Sequence, residues 1–141
     1  MRMRILLILT AVLISACGAG PEVRRSGDGG VTDGPWTLEL LGGRSVDQMS
    51  EHLPVLSFSS EGLIAGSDGC NRLQGSYQRE DERLSFSRFA STRMGCAHGE
   101  ALAQAFVAAL SIVQSFEVAG DALSLYDGTG AEVMRLRRGR D

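Results

Sequence analysis

The chain contains no lysine: its fourteen basic residues are all arginine, set against seventeen acidic ones for a net charge of −3. Arginine-only usage reflects base composition rather than chemistry, but the mild acidity argues against a nucleic-acid partner, which calls for a clustered basic surface. The local exception, Arg135, Arg137, Arg138 and Arg140, reads as a solvated last strand and tail. No apolar run approaches the ~20 residues that a membrane-spanning helix needs. Cysteine is scarce, at three residues, and none forms a Cys-x-x-Cys pair. A zinc site built from Asp68, Cys70, Cys96 and His98 would therefore have a spacing that matches no usual structural site. Histidine is scarcer still, at two residues. His98 lies two positions from Cys96 with no third group to orient it, so a Cys–His nucleophile is poorly supported. His52 sits in a polar loop and reads as solvated. Carboxylates are plentiful, yet none pair on facing apolar strands as acid–base work requires, and Glu80, Asp81 and Glu82 read as a solvated turn. Gly66-Ser67-Asp68-Gly69 is not followed by a helix, which favours a tight turn over an anion cradle. The expectation is a protein that is not an enzyme and holds no metal or cofactor.

What is present begins with a leader. Residues 1–16 have a basic start, a twelve-residue apolar run from Ile5 to Ala16, and small residues before Cys17. That is the pattern of an export signal. Residues 1–16 hold no adjacent arginine pair, so a twin-arginine signal is disfavoured. Ile14-Ser15-Ala16-Cys17 resembles the lipobox of bacterial lipoproteins, which implies lipidation at Cys17. Two or more acyl chains suffice for stable anchoring where one is marginal. Gly18 after the cysteine, rather than Asp, implies by the same resemblance the periplasmic face of the outer membrane. Loss of Arg2 and Arg4 with the leader brings the mature charge to −5.

Residues 18–34 hold six glycines and few apolar side chains. Such a stretch buries too little surface to order itself and reads as a flexible tether spanning roughly 23 Å. Residues 35–138 remain as one domain of ordinary size. Period-two alternation marks its strands. Trp36, Leu38 and Leu40 form the first. Leu56 and Phe58 pair as a hairpin with Leu63–Gly66 across Ser60-Glu61-Gly62. Leu73, Gly75 and Tyr77 pair with Leu84 and Phe86 across Arg79–Glu82. A helix is expected over Gly99–Val113, where Leu102, Phe106, Leu110 and Val113 share one face. Its polar face carries no cation, so it suits core packing rather than a membrane surface. Ser115–Ala119, Ala122–Tyr126 and Glu132–Arg137 complete the set. The expected fold is mainly β: a curled antiparallel sheet of about eight short strands, closing towards a partial barrel, with one helix packed against it.

With Cys17 assigned to lipid, Cys70 and Cys96 remain in an exported, oxidising compartment and allow one pairing. A bridge would close a loop of about 26 residues, worth roughly 3.5 kcal/mol on the chain-entropy model. Two buried free thiols are the alternative. Asn71, the single asparagine of the chain, is expected to stitch the local turn with its short side chain.

Gly69-Cys70-Asn71, then Gly75-Ser76-Tyr77, then Ala90-Ser91-Thr92-Arg93-Met94 with Cys96, form an ordered set. With Trp36-x-Leu38 before and Val118-x-Gly120-x-x-Leu123-x-Leu125 after, it resembles the META domain, the family of small heat-inducible, HslJ-like bacterial lipoproteins. The resemblance covers residues 35–136. It implies a lipocalin-like curled sheet in the cell envelope, an association with stress and drug tolerance, and no established catalytic residues. The motif positions Gly69, Asn71, Gly75, Tyr77, Ser91, Thr92 and Met94 are read as structural. The functional expectation is a monomeric, lipid-anchored envelope domain that binds an envelope protein or supports envelope integrity. The alternatives are a periplasmic inhibitor of a lysozyme or protease, with the loops Gly42–His52 and Glu80–Glu82 as first candidates, and a carrier of a small apolar ligand. The membrane is reached through Cys17. Mass spectrometry of protein from membranes should find Cys17 as an acylated amino terminus, and an unmodified Cys17 on soluble protein would refute the anchor.

Overall fold

The computed structural model describes residues 30–139, so the leader, Cys17 and most of the tether lie outside the described residues. Ten strands and one helix follow in order: β1 (Trp36–Leu41), β2 (Arg44–Ser45), β3 (Val55–Phe58), β4 (Leu63–Ser67), β5 (Arg72–Glu80), β6 (Arg83–Phe86), β7 (Ala90–Ser91), α1 (Glu100–Leu110), β8 (Ser115–Ala119), β9 (Ala122–Tyr126) and β10 (Glu132–Arg138). Eight of the strands run in the order β10-β9-β8-β6-β5-β4-β3-β1, and β10 also pairs with β1. The sheet therefore closes into an antiparallel barrel, with β2 added to β1 and β7 added to β5. The expected curled sheet is thus carried to full closure, from Trp36↔Arg138 to Leu41↔Met134.

Alternation decides which side chains enter the barrel. Trp36 and Leu38, Leu56 and Phe58, Leu123 and Leu125, and Met134 and Leu136 are buried, while their neighbours in sequence are less so. Each such side chain contributes about 1.5–3 kcal/mol on full burial. One continuous core results, joined by Leu73 and Leu84 and by Leu102, Phe106 and Leu110 of α1. Interior positions are thus occupied by side chains, where a ligand carrier would need space.

The seam between β6 and β8 is the narrowest pairing, a single partner pair Arg83↔Ser115. It is extended by Leu84 N donating to Gln114 O (3.1 Å) and Phe116 N to Glu82 O (3.0 Å). The chain spends α1 at this point. Gly99, at φ +93°, starts the helix, and Ser111 Oγ donates to Ala108 O (2.6 Å) near its end. The helix is shorter than the expected Gly99–Val113: Val113 still enters the core, but from the turn that leads into β8.

Two further boundaries differ from expectation. The domain begins before Pro35, because Val31 is fully buried and its carbonyl accepts the Trp36 indole N–H at 2.6 Å. Residues 31–34, assigned to the tether, are therefore part of the folded unit. Strand β5 runs on to Glu80, so the expected four-residue turn shrinks to Asp81 and Glu82, with Asp81 at φ +53°. Arg79 stays on the strand, and its guanidinium lies over the Phe116 ring at 5.1 Å. Each arginine of the last strand has a partner. Arg135 pairs with Glu132 (2.8 Å), Arg137 with Glu39 (2.5 Å), and Arg138 lies over the Trp36 ring at 4.9 Å.

Because neighbouring barrel strands are all antiparallel, alternate connections lie at the same end. One end carries the segments after β1, β4, β6 and β9: residues 42–54, 68–71, 87–114 and 127–131. The other carries the short turns 59–62, 81–82 and 120–121 together with the chain before β1 and after β10.

Gly66 lies opposite Leu56 on β3, and a Cβ there would collide with the Val55 carbonyl. Gly66→Ala should lower stability by about 1–3 kcal/mol, measured by urea denaturation with an unchanged m-value, since backbone cannot step aside as a side chain can.

Candidate site at the disulfide end

The end with the long connections holds a cleft of about 590 Å³. One wall is the turn between β4 and β5, at Asp68, Cys70 and Asn71. The second is the segment after β7, at Met94, Gly95 and Cys96, with Ser91 behind it. The third is one face of α1, at Glu100, Ala103, Gln104, Val107 and Ala108. A shallower recess of about 490 Å³ continues over Thr92 and Arg93.

Asp68 builds the first wall. It is buried, and its Oδ1 accepts the amides of Cys70 (2.8 Å) and Asn71 (2.6 Å), while Asn71 Nδ2 donates to Oδ2 at 3.4 Å. A carboxylate holding consecutive backbone amides is a strong local clamp. Gly69 completes the turn at φ +93°, where a Cβ would sit 2.5 Å from the His52 carbonyl oxygen. The expected role of Asn71 as the stitch of this turn is thus corrected. The stitch is Asp68, whose side chain reaches forward two and three residues, while Asn71 Oδ1 turns outward to accept the amide of Met94 at 2.8 Å.

The second wall is tied to the first by Asn71, by Thr92 and by the cysteines. Arg72 N donates to Thr92 Oγ1 (3.0 Å) and Thr92 N returns to Arg72 O (3.1 Å). Cys70 and Cys96 form a disulfide across 26 residues, with Cα atoms 5.5 Å apart. Met94 leaves 60% of its surface in solvent.

Of the motif positions, Gly69, Asn71, Ser91, Thr92 and Met94 gather around this cleft and its recess. Gly75 and Tyr77 go elsewhere. Gly75 leaves room for Phe89 and Ser87, and Tyr77 packs edge-on to Phe58 at 5.2 Å with its hydroxyl donating to Ser59 O (2.5 Å). The helix face and Asp68 are the parts of the site that sequence reasoning left unassigned. The signal for Asp68 was an acid two and three residues ahead of amides in a glycine turn. The signal for the helix was a second stripe of small residues, Ala103, Val107 and Ala108.

Chemically the cleft offers apolar walls, exposed loop backbone, and one carboxylate at the rim, Glu100, which accepts a hydrogen bond from Gln104 (3.3 Å). Its two cysteine sulfurs are bonded to each other. Among the described residues, no group of three or more His, Cys, Asp or Glu side chains comes together as a metal site. The geometry is suited to holding a ligand.

The META domain family model matches residues 30–140. The chain belongs to the META domain family. The match begins where the structure places Val31 in the core, ahead of the sequence-based boundary at Pro35. Among solved structures, an NMR structure of a protein from Burkholderia xenovorans is similar at 26% identity and a TM-score of 0.61, over 79% of this chain and 85% of that one. A second NMR structure shares 23% identity and a TM-score of 0.58, over 75% and 89% of the two chains. A crystal structure of a DUF4847 family protein from Bacteroides vulgatus shares the fold at 13% identity and a TM-score of 0.59, over 79% and 96%. No curated protein matches the chain.

Asp68→Ala should cost about 2–3 kcal/mol, because a buried turn loses a charged acceptor and strands its amides. Chemical denaturation measures the loss. Asn71→Ala, which frees one exposed amide, should cost less than half as much.

Proposed function

We propose that this META domain is a non-enzymatic, lipid-anchored component of the cell envelope that binds an extended apolar segment of another envelope protein in the cleft between α1 and the disulfide. The observation that carries the reading is the cleft itself, walled by the small-residue face of α1 and by the segments bearing Asn71 and Met94. Position supports a protein rather than a lipid ligand. The chain leading back to Cys17 leaves from the end of the short turns, and the cleft opens at the other end. A tether at Cys17 then holds the domain by the end opposite the cleft and leaves the cleft free to face a protein. Met49 and Met94, both more than half exposed at the cleft end, suit contact with varied apolar side chains. Residence on the periplasmic face of the outer membrane and a part in stress tolerance belong to this reading.

The inhibitor alternative divides between the ends, since Gly42–His52 lies beside the cleft and Glu80–Glu82 opposite it. The carrier alternative meets a barrel interior already filled by Trp36, Phe106, Leu123, Leu125 and Leu136.

The test places a photo-crosslinking residue at Gln104 in the full-length protein in its membrane, with Glu61 at the opposite end as control. Protein adducts at Gln104 that are absent at Glu61, and that disappear with Ala108→Arg in a protein of unchanged circular dichroism, are expected. Lipid adducts at Gln104, or equal protein adducts at both positions, would overturn the reading.

A further inference from the structure

The segment from Thr92 to Gly99 is held differently from everything around it. At one end, Thr92 and Arg72 exchange two hydrogen bonds. At the other, Gly99 takes a left-handed φ of +93° against Ser50, whose Oγ would lie 2.6 Å from a Cβ there. Between these fixed points run six residues without regular structure. Arg93, Met94, Gly95, Ala97 and His98 are exposed, and a Cβ at Gly95 would meet nothing within 4 Å. Among the described residues, this strap is fastened to the rest of the fold by one exposed hydrogen bond, Met94 N to Asn71 Oδ1, and by the disulfide. Neither Leu102, Phe106 and Leu110 nor any barrel ladder depends on it.

We propose that the Cys70–Cys96 bridge is a redox latch on the cleft: oxidised, it holds the strap as the second wall, and reduced, it lets the strap swing away from α1 while the barrel stays folded. The inference rests on reading the cleft as the binding face and supplies its regulation. Both cysteines are partly exposed and line the cleft, so a dithiol reductant can reach them. One thiolate of the reductant attacks a sulfur of the bridge. The S–S bonding pair leaves on the other cysteine, which takes up a proton. The second thiol of the reductant then attacks the mixed disulfide, frees the remaining cysteine as a thiol, and closes the reductant's own disulfide. Two cysteine thiols are formed for one dithiol oxidised. With the latch open, a single exposed hydrogen bond retains the strap, and Ala103 and Val107 lose the wall that faces them.

Hydrogen exchange read by mass spectrometry on the full-length protein, oxidised and after dithiothreitol, tests this. The Met94 amide, the one amide of residues 93–98 with an acceptor among the described residues, is expected to exchange faster by about tenfold or more on reduction, with β9 and β10 unchanged, because local openings are independent of the global one. The double variant Cys70→Ser/Cys96→Ser should reproduce the reduced pattern under oxidising conditions. Unchanged exchange at the Met94 amide, or equal acceleration through β9 and β10, would overturn the latch, the latter making the bridge a global staple. The readout needs no partner, so a strap that opens stands even if the Gln104 crosslink fails. A Gln104 crosslink of equal yield in oxidised and reduced protein would overturn the latch while leaving the binding reading intact.

Discussion

Closure of the sheet through β1 and β10 is the constraint on which the rest of the molecule depends. Five residue pairs from Trp36↔Arg138 to Leu41↔Met134 join the first strand to the last, so neither is left with a free edge. A closed antiparallel barrel of eight strands divides its connections between two ends. Here the division is unequal: two- to four-residue turns and the described segments before β1 and after β10 fall at one end, and the irregular segments with the helix, the disulfide and the cleft fall at the other. Closure also seals the end where the chain enters. Val31 and Trp36 are buried there, with Arg138 over the indole and Asp33 3.9 Å from the Arg138 guanidinium. The domain therefore needs its first and last residues together.

The strands were legible because each carries a period-two pattern against a single core. Leu56 and Phe58, Leu123 and Leu125, and Met134 and Leu136 could be assigned to one face from sequence. Full closure was less legible, since β1 and β10 are about a hundred residues apart and no local pattern records their pairing. Isolated core residues were missed for a related reason. Val31 and Val46 are fully buried, yet each stands alone among glycine and polar residues, so no periodicity marks it. Local composition alone makes residues 31–34 look like tether, and the contact with Trp36 reverses that.

At the site, the sequence marked the residues and misassigned their work. Asn71 and Asp68 both have side chains suited to a turn, and the choice between them is settled by direction. An acid preceding the amides it accepts can clamp two at once, whereas Asn71, later in the turn, is free to reach Met94 twenty-three residues on. The α1 face was hidden by the helix's stronger stripe of Leu102, Phe106 and Leu110, which specifies only the side towards the core. Small residues on a flank say that something comes close, without saying what.

These connections also separate stability from shape. The turn at Asp68 is fixed by a buried carboxylate and a left-handed glycine packed under the His52 carbonyl, neither of which needs the bond between the cysteine sulfurs. Hydrogen-bonded ladders hold the barrel on both sides of β4 and β5. The disulfide therefore joins a wall that is rigid without it to a strap that is not. In the entropy account, a bridge stabilises by the freedom it removes. In the native state, that freedom is concentrated in residues 93–98, so the bridge's structural consequence falls on the cleft more than on the barrel.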